Sequence, residues 1–211
     1  MANLPSVTCL CPTRNRREFL VESIKMFQAQ DYAGEAELLL LNDSDGEDIS
    51  DLASETGRIV RVIQVPRMSL GFKRNEGARL TTSEVIAHWD DDDIYAPGRL
   101  SNQVEFLLAS RVSVVGYFSF KGRRLSSGAE WKYFINTDYA CGASLVYRRS
   151  WVLEHPFSGS VDIGEDNLMI YEARNKGQFA TSDGEDFLTI GIHPGNTATK
   201  NMEVPQWTRV K

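Results

Sequence analysis

Apolar runs and helical stripes alternate along the first half of the chain. Val7-Thr8-Cys9-Leu10-Cys11 is a short apolar run closed by Pro12, which predicts a buried strand. Phe19, Leu20, Ile24 and Phe27 then recur at helical spacing and predict an amphipathic helix over 17–29. Asp31-Tyr32-Ala33-Gly34 is a turn, and Leu38 to Leu41 is a second buried strand ending in the polar loop Asn42-Asp43-Ser44-Asp45-Gly46. Asp48, Ile49, Leu52 and Ala53 predict a short helix stopped by Gly57. A third strand runs from Ile59 to Val65 and closes at Pro66. A helix follows over 72–81, then a strand over 85–89. Pro97 suits the first turn of another helix, whose buried stripe is Leu100, Val104, Leu107 and Leu108.

Buried strands alternating with amphipathic helices imply a largely parallel sheet covered on both faces. In such sheets ligands bind outside the carboxyl ends of the strands. The polar clusters Thr13 to Arg16, Asn42 to Asp45 and Asp90 to Asp93 each follow a strand directly, so they are expected to converge on one edge.

The second half is less regular. Val112 to Phe118, Ala143 to Tyr147 and Phe187 to Ile192 read as strands. Residues 121–138 read as a polar excursion, and Tyr147-Arg148-Arg149-Ser150-Trp151 as a strand end entering a helix. Glu165 to Lys176 is a helix with Gly177 at its end. There is no internal repeat and no low-complexity linker, so residues 1–211 are expected to form a single domain.

Composition narrows the class. The chain has 211 residues, 42% of them hydrophobic and 25% charged, enough to bury a sizeable core. No apolar stretch approaches the ~20 residues that span a bilayer, and a secretory signal pattern is absent. These features lead to the expectation of a cytoplasmic protein, with peripheral association as the membrane role left open. A net charge of −6 argues against a surface that coats nucleic acid. The three cysteines fit no zinc spacing; Cys9 and Cys11 share a strand face, and all are expected to be free thiols.

The run Asp90-Asp91-Asp92-Asp93 is the strongest chemical signal. Two carboxylates about 4 Å apart repel by about 4 kcal/mol at an effective dielectric near 20. Such a cluster is either fully solvated or neutralised by a cation. Mn2+ or Mg2+ favours oxygen ligands of this kind, taking one or two carboxylates plus substrate phosphates.

Several segments, in order, resemble glycosyltransferase family 2. Val7 to Arg16 resembles its first strand and Pro-Thr-x-Asn turn, and Leu41-Asn42-Asp43-Ser44-Asp45 its second-strand loop. Gly71-Phe72-Lys73-Arg74-Asn75-Glu76-Gly77 resembles its Gly-x-x-x-Asn-x-Gly helix start, and Trp89 to Asp93 its Asp-x-Asp-Asp metal motif. Gly164-Glu165-Asp166 resembles the acceptor-side Glu-Asp motif, and His193-Pro-Gly-Asn196-Thr197 a C-terminal His-x-x-Asn-Thr segment. The resemblance implies an α/β, Rossmann-like GT-A fold: a central, mostly parallel sheet flanked by helices, with a smaller acceptor-side sheet. Residues 1–110 would form the nucleotide-sugar-binding half and 111–211 the acceptor-binding half.

The same resemblance implies a metal-dependent, inverting enzyme. It would move a sugar from a nucleotide-diphosphate sugar, UDP-linked by expectation, to a hydroxyl of a glycan or glycolipid. Thr13, Arg16 and Asp43 would border the nucleoside, Lys73 and Arg74 the diphosphate, and Asp90 and Asp91 the ribose or sugar. Asp92, with Asp93 as runner-up, and His193 would hold Mn2+ or Mg2+. Asp166 would be the general base, with Glu165 orienting it or the acceptor. Asn42 departs from the pattern by replacing the first acid of the second-strand pair. The motif of processive polysaccharide synthases is missing, which favours single transfer. Trp131, Tyr133 and Tyr139 are candidate sugar-ring contacts that equally suit core packing.

Two other readings stand beside this one. A metal-dependent nucleotidyltransferase would use the same acidic strand end but normally carries a Gly-rich phosphate loop, and Pro12 to Asn15 holds no glycine. A non-catalytic nucleotide-sugar or glycan-binding module would be expected to have lost Asp92 or Asp166.

Overall fold

A computed structural model describes residues 4–159, 164–196 and 202–210. In chain order the elements begin with β1 (Val7–Thr13), α1 (Arg17–Gln28), β2 (Ala36–Asn42), β3 (Ile59–Gln64), α2 (Leu70–Leu80) and β4 (Val85–His88). Next come β5 (Ile94–Tyr95), α3 (Arg99–Ser110), β6 (Val114–Arg124), β7 (Glu130–Phe134), β8 (Val146–Arg148) and α4 (Arg149–Glu154). The last are α5 (Glu165–Asn175), β9 (Phe179–Asp183), β10 (Leu188–Ile192) and β11 (Trp207–Arg209). Short 3-10 turns at Ser50–Leu52 and Gly142–Ser144 complete the set.

The sheet runs β11-β7-β6-β8-β4-β1-β2-β3. Strands β3, β2, β1 and β4 are mutually parallel, as the alternating pattern requires. Their alternation feeds two cores. Val7, Cys9, Leu38, Leu40, Val85 and Ala87 face the side covered by Leu20 and Phe27 of α1 and Leu100, Val104 and Leu107 of α3. Leu10, Leu39, Leu41 and Ile86 face the other side, with Ala78 of α2, Trp151 of α4 and Met169, Ile170 and Ala173 of α5. Cys9 and Cys11 are buried free thiols on one face, as the strand period dictates.

The second half corrects part of the sequence reading. The segment 121–138 is not simply an excursion: β6 continues to Arg124 and turns back as β7, with Gly128 at φ 70° in the turn. Strand β6 is shared. Its first residues pair with β8 and β9, and its last with β7 and β10. The smaller sheet therefore grows out of the main one through β6. The expected strand from Ala143 starts later, because Gly142–Ser144 forms a 3-10 turn first. Among the described residues, no helix is long and apolar enough to cross a membrane.

Candidate active site

The strand ends bring the polar clusters to one edge, as their positions require. Two clefts open there and share Pro12, Arg16, Leu70 and Asp91 in their walls. The first, of about 220 Å3, is lined by all four aspartates on one side and by Gly142, Glu165 and Asp166 on the other. The second, of about 720 Å3, is lined by Thr13, Arg14, Asp43, Arg67, Met68 and Lys73.

The turn after β1 carries Arg16 into the acidic loop. Asn15 sits at φ 51°, a left-handed conformation that Asn tolerates, and its N–H donates to Ser44 Oγ at 2.6 Å. Arg16 then reaches Asp91 at 2.9 Å and Asp92 at 2.8 Å. Its other nitrogen donates to the Gly195 carbonyl. Thr13 ends β1 and caps no helix; its hydroxyl donates to Asp91 at 2.6 Å. Burial pushes the Asp91 carboxyl up to about 6, outweighing the Thr13 hydrogen bond and the Arg16 charge.

The four aspartates divide the work. Asp92 accepts from Arg16 and lies 2.9 Å from His193 Nε2, with the Asn196 amide at 3.4 Å. Asp93 is buried and accepts the Gly191 N–H at 3.0 Å, which ties the loop to β10. Asp92 and Asp93 both line the first cleft, and His193 reaches Asp92. Asp90 borders the cleft, its N–H donating to the Tyr95 hydroxyl at 2.7 Å and its carboxylate 3.8 Å from Arg74. Among the described residues, no three His, Cys, Asp or Glu side chains cluster tightly enough to hold a metal ion by themselves.

Lys73 and Arg74 part ways on α2. Lys73 reaches the Asp43 carboxylate at 2.6 Å and the Thr13 carbonyl at 3.3 Å, in the wall of the second cleft. Arg74 is buried in the first cleft, where it pairs with Glu165 across the fold and lies near Asp90. Gly164 precedes α5 at φ 88°, a left-handed conformation that favours glycine, and turns Glu165 and Asp166 into the cleft. Burial raises the Glu165 carboxyl above its usual range despite the Arg74 charge.

Asn42 has its own reason to differ from the family pattern. It is fully buried, accepts from the Ser44 backbone N–H at 3.0 Å and donates to the Glu47 carbonyl at 2.9 Å. An aspartate could not make the second bond.

Trp131 and Tyr133 are occupied by packing: Trp131 under Arg124, and Tyr133 against Phe120 and Trp207. Tyr139 is half-buried beside the second core, within electrostatic reach of Asp166. Sequence reading missed Arg67 and Met68, although they too directly follow a parallel strand, and it missed the Cys141–Ser144 turn. The expected contact at Thr197 lies outside the described residues.

Solved structures share this architecture. S. aureus TarS 1-349 in complex with UDP-GlcNAc superposes with a TM-score of 0.73 at 16% identity, covering 94% of this chain and 62% of that one. The mannosyltransferase PcManGT from Pyrobaculum calidifontis, in complex with GDP-Man and Mn2+, gives 0.68 at 16% identity, covering 93% and 59%. The chain thus spans about three fifths of the length of these neighbours, and the likeness shows the GT-A fold. No curated protein matches the chain. The pattern described as "Glycosyl transferase family 2" matches residues 8–141, well over half the chain. By that match the chain belongs to glycosyltransferase family 2.

Proposed function

We propose that this glycosyltransferase is metal-dependent and inverting, and that it moves a sugar from a nucleotide-diphosphate sugar to an acceptor hydroxyl. One observation carries the reading. A single cleft is lined by the Asp90–Asp93 loop on one wall and by Glu165 and Asp166 on the other. Residues 1–110 form the donor half in this reading, and 111–211 the acceptor half.

The donor set fits a small divalent cation. Asp92 and His193 offer one carboxylate oxygen and one imidazole nitrogen 2.9 Å apart. Mn2+ accepts both ligand types, and such ions complete their shell with substrate phosphates and water. When bound, the ion supplies charge neutralisation for the departing diphosphate. Arg16, already on Asp92, adds a second positive group beside the phosphates.

The remaining roles follow from placement. Asp43 and Thr13 border the nucleoside in the second cleft, where a carboxylate suits the N3–H of uracil. Lys73 fixes Asp43 and faces the diphosphate side. Asp90 contacts the transferred sugar. Arg74 acts by holding Asp90 and Glu165 rather than by binding phosphate. Asp166 takes the proton from the acceptor hydroxyl as its oxygen bonds to the anomeric carbon. The bond to the diphosphate breaks on the opposite face, and the nucleoside diphosphate leaves with that electron pair. A base so placed contributes about 10²–10⁴-fold. TarS and PcManGT, solved with UDP-GlcNAc and with GDP-Man and Mn2+, support a nucleotide-sugar donor.

The test is a thermal-shift panel of nucleotides and nucleotide sugars with Mn2+, Mg2+ or EDTA. A ligand at 100 times its Kd adds about 2.7 kcal/mol, a midpoint rise of roughly 5–10 °C here. A rise with one nucleotide class that EDTA abolishes, followed by sugar transfer, is the expected result. No rise with any nucleotide and metal overturns the reading.

A further inference from the structure

The wall of the first cleft includes Cys141, Gly142 and Ala143 of the small-residue turn Cys141-Gly142-Ala143-Ser144, in which every carbonyl accepts a side-chain hydrogen bond. The Ser144 hydroxyl donates to the Cys141 carbonyl at 2.6 Å. His88 Nδ1 is 2.7 Å from the Gly142 carbonyl. Arg99 donates to the Ala143 carbonyl at 3.4 Å, and Gln103 to the Ser144 carbonyl at 2.6 Å. His88, Arg99, Gln103 and Ser144 are all buried.

Such a concentration of buried polar groups on one short turn has an energetic cost unless each is bonded. Arg99 is fully buried and stacks on Tyr95 and Trp89; among the described residues it meets no carboxylate at ion-pair distance and its second terminal nitrogen has no hydrogen-bond partner. Apolar side chains would fill the same space with less penalty. The arrangement therefore fixes a backbone whose position matters.

What that backbone positions is Asp166. A Cβ built on Gly142 would lie 1.7 Å from Asp166 Oδ2 and 2.6 Å from its Cγ. The carboxylate occupies the space that any side chain at 142 would need. Its other oxygen accepts the Asn167 N–H at 2.9 Å. One oxygen is thus set by the helix start and the other by contact with the turn.

His88 acts in one protonation state. The Gly142 carbonyl can only accept, so Nδ1 carries the proton and Nε2 accepts from the Tyr147 hydroxyl at 3.2 Å. Burial, with the nearby Arg74 charge, drives its pKa well below the usual value, so the ring stays neutral. The same strand, β4, leads directly into the aspartate loop.

We infer that His88, through the Gly142 carbonyl, and Gly142, through its missing side chain, are positioning residues that set the Asp166 carboxylate in the cleft. This rests on the reading of Asp166 as the base. Arg99 serves both sides, stacking under the donor loop at Tyr95 and holding the acceptor-side turn at Ala143.

The experiment uses the full chain without substrate. Alkylation of Cys141, which is half-buried where Cys9 and Cys11 are buried, by iodoacetamide reports how firmly the turn is held. The carboxyl 13C shift of Asp166 against pH reports the surroundings of the carboxylate. His88→Leu should speed alkylation about tenfold, the scale set by one lost hydrogen bond, and move the Asp166 titration. His88→Asn keeps an N–H near the Nδ1 position and should restore both toward wild type. Gly142→Ala should move the titration while alkylation stays slow, and it keeps the test alive if His88→Leu fails to fold. An Asp166 titration unchanged in Gly142→Ala and in the folded His88 variants overturns the inference. Turnover of Asp166→Asn near the wild-type rate would instead sink the base reading, and the positioning result would still stand on its own.

Discussion

His193 Nε2 lies 2.9 Å from Asp92 Oδ2, although the two residues are 101 positions apart in the chain. The end of β10 thereby closes onto the loop after β4. Arg16 donates to the same oxygen at 2.8 Å. A metal bound there, as proposed, would compete with those contacts, so Asp92 and His193 should both matter to its affinity. His193→Ala should weaken Mn2+ binding by at least about tenfold, the scale on which even outer partners of a metal act. Asp92→Asn should abolish it. Titration calorimetry with Mn2+ and a nucleoside diphosphate reads both. Equal affinity for wild type and Asp92→Asn would remove this pair from the metal site.

Asn42 invites a test in the opposite direction, toward the family pattern. Its amide donates to the Glu47 carbonyl and its oxygen accepts the Ser44 N–H. Asn42→Asp keeps the second bond, loses the first and buries a charge. We expect a loss of about 1–3 kcal/mol, the cost of one buried unsatisfied group, and about 2–4 °C in Tm for each of those units. A urea melt that superposes on wild type would show that the loop repacks freely.

Much of this was legible in the sequence because parallel strands are buried on both faces and so are unmistakably apolar. Leu38 to Leu41 and Val85 to Ala87 needed no partner to be recognised, and the polar residues after them had to share an edge. The β6–β7 hairpin was illegible for the opposite reason. Lys121, Arg123 and Lys132 point charge outward, so the segment reads as loop. Strand β9 carries only Phe179 and Ala180 as apolar residues and exists by pairing with β6, a contact no local pattern encodes. In the site, side chains with recognisable chemistry were visible: Asp92 and Asp166, which line the first cleft, and His193, which reaches Asp92. The Cys141–Ser144 turn was not, because it acts through carbonyls and through a side chain that Gly142 lacks.

Asp91 sets a pH dependence of stability. Its ordinary value is 3.8 and burial lifts it to about 6 in the folded chain. Between those values the folded state binds more protons than the unfolded one, so stability falls as pH rises through the window. Well above 6 the Asp91 carboxyl is ionised in both states and this contribution is flat. Melts in EDTA from pH 4 to 7 should show that decline, and Asp91→Asn should remove its own share of the slope. Identical slopes in the two proteins would mean that Arg16 and Thr13 hold the carboxyl lower than burial raises it.

Arg74 and Glu165 join α2 to α5 through one buried ion pair, and the two residues of the pair should respond differently to truncation. Glu165→Ala leaves a guanidinium that is 2% exposed with Asp90, at 3.8 Å, as its remaining acid. Breaking a buried pair from one side typically costs about 3–5 kcal/mol, and the Asp90 charge should hold the loss to the lower end. Glu165→Gln retains an acceptor oxygen and should lose less. The informative comparison is the donor side. If Arg74 serves mainly to hold Asp90 and Glu165 together, Glu165→Ala should let Arg74 swing toward Asp90 and weaken sugar-nucleotide binding, while the free nucleoside diphosphate binds as before. Calorimetry with both ligands separates these cases. Equal weakening for both would put Arg74 back on the diphosphate itself.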